Sequence, residues 1–312
     1  MARGKRDTRP VHGILLLDKP VGITSNRALQ EAKRLLMAAK AGHTGSLDPL
    51  ASGLLPLCFG EATKVSRFLL EGDKRYTAVF QLGVSTVTGD AEGEALETRP
   101  VTAMRRYIER AIVSFTGTIE QIPPMYSAIK LGGQPLYKLA RAGQTVERAP
   151  RQVTVYAYDI LDFSGDRLTV DIRCSKGTYI RALAHDLGEI LGCGAHVAAL
   201  RRTEMGGFKV EEAISLEALA ALPDPAARAA VLVASDRALE ALPAVQITAH
   251  AAYYFVQGQP VSARPLPLSG WLRVYEEGGR FLGLAEVDDD GRAAPRRLMN
   301  PTEGTDSAQK TG

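Results

Sequence analysis

Three stretches of this chain, KRYTAVFQLG (74–83), RQVTVYAYDIL (151–161) and RLTVDIRCS (167–175), alternate apolar and polar residues in the two-residue rhythm of half-buried strands. In the first, Tyr76, Ala78, Phe80 and Leu82 fall on one face. Helical stripes occur between such stretches at irregular intervals. TSNRALQEAKRLLMAA (24–39) offers a Thr or Ser cap followed by Ala28, Leu29, Ala32, Leu35 and Leu36, and YIRALAHDLGEILG (179–192) carries Ile180, Leu183, Ala184 and Leu187. A doubly wound parallel sheet needs strand and helix in regular succession. Their absence of period predicts an α+β fold instead.

Other short segments fit the same picture. GILLLDKPVG (13–22) is a buried strand stopped by a Pro-Gly turn, LLPLCFG (54–60) a further strand, and EATKVSRFLL (61–70) a turn or two of helix. Residues 211–243 are rich in alanine and predict helix, interrupted at PDP and LPA. From about Gln246 the texture becomes one of short strands, in YYFVQGQPV and GWLRVYEEGGRFLGLAEVDDDGR, with turns at GG and DG. With 312 residues, 45% of them hydrophobic, the chain can bury a large core and a smaller second one. The expected division is a large domain over 10–245, a β-rich module over 246–303 and a disordered tail over 304–312.

Charge is segregated. Residues 1–75 hold 13 Lys or Arg against 7 Asp or Glu, while the rest of the chain is slightly acidic. A second basic stretch, 124–151, has few apolar runs and carries Lys130, Lys138, Arg141 and Arg148, which reads as an excursion from the core with its own basic face. Both features suit a polyanionic partner. Cys58, Cys174 and Cys193 lack zinc spacing, and their odd number argues against a fully paired disulfide set; they read as packing thiols of a reducing cytoplasm. The apolar run after the basic start is too short for a signal peptide core or a membrane span, so a cytoplasmic protein is expected.

GHTGSLDPLASG (42–53) sets one histidine and one aspartate, His43 and Asp48, into a loop with little to pack. The ordinary role of an Asp-Pro pair is a turn whose carboxylate caps nearby amides. The alternative is a functional acid presented on a connection. The loop lacks a dinucleotide fingerprint and a P-loop ending, and nothing around it resembles a nucleophile elbow. Asp90 in TGDAEGE is a conceivable metal ligand, but its neighbours do not match calcium-loop spacing. Tyr76 beside Lys74 and Arg75, and Tyr179 with Arg181, offer π-faces and cations to a nucleotide; each tyrosine taken alone reads as well as a core or surface residue.

Read in order, GILLLDKPVGITS, AGHTGSLDPLASGLLPLCFGEATK, KRYTAVFQLG, QIPPMYSAIKLGGQPLYKLAR, SKGTYIRALAHDLG and ALRRTEMGGF closely resemble the bacterial tRNA pseudouridine-55 synthase family, from about Gly13 to Phe208. The part from 246 onward more loosely resembles that family's PUA domain. The resemblance implies a mixed, mainly antiparallel sheet with flanking helices, and isomerisation of one uridine in the TΨC arm of tRNA without cofactor or metal. It makes Asp48 the catalytic residue and places His43 near the flipped nucleotide. Tyr76 stacks on the target base, Tyr179 lines the site, Arg181 pairs with the aspartate, and Leu200 supplies an apolar contact. It further implies a monomer that binds the T-arm stem-loop. Two other classes share these features: a non-catalytic RNA-folding protein, and a hydrolase that lets water capture the sugar and releases uracil.

Overall fold

GILLLDK folds as a strand whose side chains are buried on both sides, which is why its apolar run does not alternate. Leu15 and Leu17 enter one core, and Ile14 and Leu16 a second core on the opposite face of the sheet. The computed structural model describes residues 8–300. Along the chain the first elements are β1 (Gly13–Lys19), α1 (Ser25–Leu35), β2 (Ala41–His43), β3 (Ala51–Phe59), α2 (Ser66–Glu71) and β4 (Lys74–Leu82). A small hairpin, β5 (Val84–Thr86) with β6 (Ala95–Thr98), precedes α3 (Arg105–Val113) and β7 (Gly117–Gln121). The basic excursion carries only a short hairpin, β8 (Lys130–Leu131) with β9 (Gln134–Pro135), and α4 (Leu136–Arg141). Then come β10 (Arg151–Ser164), β11 (Arg167–Cys174), α5 (Ile180–Ile190), β12 (Ala195–Met205), β13 (Phe208–Lys209), β14 (Ile214–Ser215), α6 (Leu216–Ala221) and α7 (Pro225–Ala230).

The main sheet runs in the order β14-β1-β3-β12-β4-β11-β10-β7, with β2 added on β3 and β13 on β12. Only β1 with β14 and β3 with β12 run parallel. It is the mixed, mainly antiparallel α+β sheet expected. The large core lies on the face covered by α1, α3, α5 and α6; β4 alternates buried and half-buried residues along its whole length. Helix α1 begins where Thr24 caps it, its hydroxyl accepting from the Arg27 amide, and buries Ala28, Leu29, Ala32 and Leu35 as its stripe predicts.

In the region 211–243 the helices are short, and Ile214–Ser215 is the edge strand β14. Asp224 caps α7 ahead of Pro225, and a 3-10 turn spans Ser235–Leu239. The prolines break what alanine content alone favours. Beyond it lie β15 (Ala244–Ile247), α8 (Ala249–Phe255), β16 (Trp271–Glu276), β17 (Phe281–Val287) and β18 (Ala293–Leu298), with β15 to β18 forming a separate four-stranded sheet over its own core. YYFVQGQPV, expected as a strand, instead begins as the last turn of helix α8 and continues as a turn and irregular chain, with only an isolated bridge from Val261 to Ala293. Thr248 caps the helix by accepting from the Ala251 amide, and buried Ala252 and Phe255, three residues apart, form a helical stripe that is too short to declare itself. The tail expected to be disordered lies outside the described residues. Among the described residues no helix is long and apolar enough to cross a membrane.

The two sheets are joined through α2. Phe68 meets Trp271 edge-on with ring centroids 5.5 Å apart, Arg67 lies 5.4 Å from both rings, and Lys64 Nζ donates to the Leu298 carbonyl at 2.8 Å.

Gly53 shows how tightly β3 lies against β12. Its φ is +99°, and a Cβ there would stand 2.3 Å from the backbone oxygen of Arg202. Gly53→Ala should therefore lower unfolding stability by about 2–4 kcal/mol, from backbone strain plus overpacking, measured by thermal or denaturant unfolding.

Candidate active site

The loop between β2 and β3 is held from several sides. Ser25, at the start of α1, both accepts from the Leu47 amide (2.7 Å) and donates to its carbonyl (3.0 Å). Thr44 donates to the Pro56 carbonyl at 3.0 Å, and the Gly22 amide bonds the Pro49 carbonyl at 2.8 Å. Gly45, at φ +124°, makes the turn. The loop thus presents Asp48 on a fixed backbone.

Asp48 Oδ2 lies 3.1 Å from Arg181 Nη2. Arg181 projects from the first turn of α5, its side chain only 8% exposed, and also donates to the carbonyls of Thr88 (2.9 Å) and Tyr126 (2.7 Å). On its other side it is 3.5 Å from Asp90, whose side chain is 4% exposed. One guanidinium therefore joins the acid loop, the β5–β6 turn and the root of the basic excursion. Asp48 keeps 42% of its side chain open. The protein on its remaining sides removes water and pushes its carboxyl above the ordinary carboxylate range; Arg181 opposes the rise, Asp90 adds to it, and Lys19 opposes it.

Lys19 ends β1 fully buried, its Nζ donating to the carbonyls of Pro20 and Ile23 at 2.8 Å each. Burial brings its ammonium down to about 8, with Asp48 the foremost charge holding it up. Tyr76 lies on β4, buried, and burial pushes its phenol up while Arg202 pulls it down. Tyr179 caps α5, its backbone clasped by the Gln121 side chain at 2.7 and 3.1 Å; burial raises its phenol, and the Ser127 hydroxyl lowers it. Leu200 sits on β12 paired with Ala51 and Ala78, half-buried beside the start of β3, the strand that follows Asp48's loop.

Three parts of the chain thus converge on Asp48: its own loop, Tyr76 on β4, and Tyr179 with Arg181 at the start of α5, each within electrostatic reach of the carboxylate. His43 stands apart from them in kind. It belongs to β2 rather than to the loop, its Nδ1 is buried without a hydrogen-bond partner, and burial followed by Arg202 lowers its pKa. The residues missed by the sequence reading are Lys19, Asp90 and Arg202. Lys19 announces itself only as a cation ending an apolar run, Arg202 only within ALRRT. Asp90, considered there as a metal ligand, is a partner of Arg181. Among the described residues no three His, Cys, Asp or Glu side chains gather as a metal site. The three cysteines are buried and unpaired, and burial raises Cys58 to about 12 and Cys174 to about 11.

A buried arginine lies against an accessible aspartate on a loop beside a mixed sheet, and comparison with known proteins shows the family of the chain. Residues 33–180 match the TruB family pseudouridylate synthase N-terminal domain, and 181–240 match the tRNA pseudouridylate synthase B C-terminal domain. The tRNA pseudouridine synthase B of Pseudomonas aeruginosa (strain UCBPP-PA14) is 56% identical over 302 residues, covering 96% of this chain and 99% of the relative. The chain belongs to the TruB family of pseudouridylate synthases. The TruB relative of Stutzerimonas stutzeri (strain A1501) is 55% identical with the same coverage. Residues 243–299 match the C-terminal region described for pseudouridine synthase II TruB. Among solved structures, the chain resembles one in a Cbf5-Nop10-Gar1 complex with a TM-score of 0.71 and 25% identity, over 96% of this chain and 90% of that one. As a TruB family member, the protein is an isomerase.

Proposed function

We propose that this protein converts uridine 55 in the TΨC arm of tRNA to pseudouridine, with Asp48 as its catalytic residue. The observation that carries this reading is Asp48 itself, open on one side and held 3.1 Å from a buried arginine on a pinned loop. A base cannot turn about its own sugar while stacked, so the target nucleotide must leave the arm, and its unstacking is offset by contacts inside the cleft. Tyr76 and Leu200 give it a π-face and an apolar wall, Tyr179 borders it, and His43 meets the flipped nucleotide. The glycosidic bond to N1 breaks and one to C5 forms, with the C5 proton lost and N1 left protonated in the product. Asp48 serves as nucleophile, or as base and electrostatic partner to a cationic sugar, and Arg181 keeps it charged and aimed.

RNA engagement follows from charge. Lys130, Lys138, Arg141 and Arg148 form no ion pair among the described residues, and the first three are exposed, so the excursion is free to meet phosphates. The sheet from β15 to β18 serves as a PUA-like RNA-binding module in this reading, and the protein acts as a cytoplasmic monomer. Incubation with a defined unmodified T-arm stem-loop should yield pseudouridine at one position. The product is read after chemical derivatisation because isomerisation leaves mass unchanged. Release of free uracil would establish the hydrolase instead, and binding without either product would establish an RNA-folding role.

A further inference from the structure

Helix α5 starts without a local cap. Its N-cap position is Tyr179, whose own side chain makes no bond to the first turn among the described residues. Three positions further in stands Ala182, so the reciprocal bond that a Glu or Gln would return to the N-cap amide cannot form within the helix. Gln121, 58 residues earlier, supplies it from outside. Its Oε1 accepts from the Tyr179 N–H at 2.7 Å, and its Nε2 donates to the Tyr179 carbonyl at 3.1 Å, which also takes the Ala182 and Leu183 amides. Gln121 is 2% exposed, so both bonds form away from water, where leaving either group unpaired is costly.

Gln121 ends β7, the edge strand of the main sheet, and faces Arg151 across the pair that β7 makes with β10. These two residues are the feet of the basic excursion. The clasp therefore ties one foot to the backbone two residues before Arg181, whose guanidinium lies 3.1 Å from Asp48. Bonds to both the N–H and the C=O of one residue fix the Cα between them, and with it the direction in which the side chain leaves. For Tyr179, half-buried, that is the direction of the phenol. Its neighbours are anchored independently of the glutamine. Ser175, at the far end of the same loop, donates its N–H to the Thr154 carbonyl at 2.8 Å and accepts the Thr154 amide on its hydroxyl at 2.9 Å. Arg181 is held by Thr88, Tyr126 and Asp90. What the clasp adds is the placement of Tyr179.

We propose that Gln121 is a positioning residue for the isomerisation: by clasping both backbone polar groups of Tyr179 it sets where that phenol stands beside Asp48. The proposal rests on the reading of Tyr179 as a border of the uridine site, and it is tested only with parent protein that converts the T-arm RNA, so that failure of the reading and failure of the proposal are separate results. Gln121→Met keeps the length and burial of the side chain and removes both bonds. It should slow single-turnover conversion at saturating stem-loop by roughly 10- to 100-fold, the scale of a small misplacement at a reacting centre, with RNA Kd within about twofold of parent. In Tyr179→Leu protein, which has no phenol to misplace, the same substitution should cost no more than about twofold further. Conversion by Gln121→Met near that of parent overturns the proposal. So does a loss carried by Kd, or one that persists undiminished in Tyr179→Leu, since a glutamine serving the fold alone would act that way. Where Gln121→Met does not fold, or Tyr179→Leu converts too little RNA to follow, Gln121→Asn decides, because it keeps the amide and withdraws it by one methylene. Its conversion should slow and the Tyr179 ring resonance should move, followed by NMR in tyrosine-labelled protein and assigned through Tyr179→Phe. Unchanged conversion overturns the proposal, as does slowed conversion with that resonance unmoved.

Discussion

Asp48→Asn should abolish conversion of the T-arm uridine, by at least about 10⁴-fold, the scale on which removal of an activated nucleophile or charged catalytic partner acts. Asparagine keeps the size and the loop geometry, because the loop is pinned by Ser25, Thr44 and Gly22 and not by the carboxylate. It removes the negative charge that either catalytic role demands. RNA affinity should stay within about threefold of parent, because phosphate contacts supply most of it and lie on other residues. The measurement is single-turnover pseudouridine formation beside equilibrium binding of the same stem-loop. Near-normal turnover by folded Asp48→Asn protein would remove Asp48 from the chemistry.

What could be read from the sequence was local. The alternation of Tyr76, Ala78, Phe80 and Leu82, the Thr24 cap and the α5 stripe each depend on residues a few positions apart, and all three appear in the fold. Helix α8 shows the limit of such reading, since a stripe of two buried residues on a seven-residue helix is too short to outweigh the β-favouring aromatics beside it. The site is a different problem. Asp48, Asp90 and Arg181 lie far apart in the chain, and only the packing of α5 against the sheet brings them together. Their residue types were visible in the motifs, but the sharing of one arginine between two acids has no sequence signal. The same holds for Arg202, whose partners are the Leu54 and Gly45 carbonyls.

That shared arginine separates stability from catalysis in a way that can be measured. Arg181→Met leaves Asp90, 4% exposed, without its cation, and loss of one partner from a buried pair costs about 3–5 kcal/mol. For a chain of this size Tm should fall by roughly 5–10 °C. Asp48 contributes little to that loss because its side chain is 42% open. Conversion should nevertheless fall by about 10²- to 10³-fold, since the carboxylate loses the donor that aims it. The pH profile gives the sign. Burial already holds the Asp48 carboxyl above its usual range and Arg181 pulls it down, so removing the arginine raises it further. Activity needs the ionised form, which is lost as pH falls through the folded pKa; the acid limb of the rate profile should therefore move to higher pH in Arg181→Met. Adding Asp90→Asn removes the stranded buried charge, so Arg181→Met/Asp90→Asn should regain most of the lost Tm while conversion stays low, because Asp48 still lacks its partner. Recovery of both together would mean that Arg181 serves the fold alone.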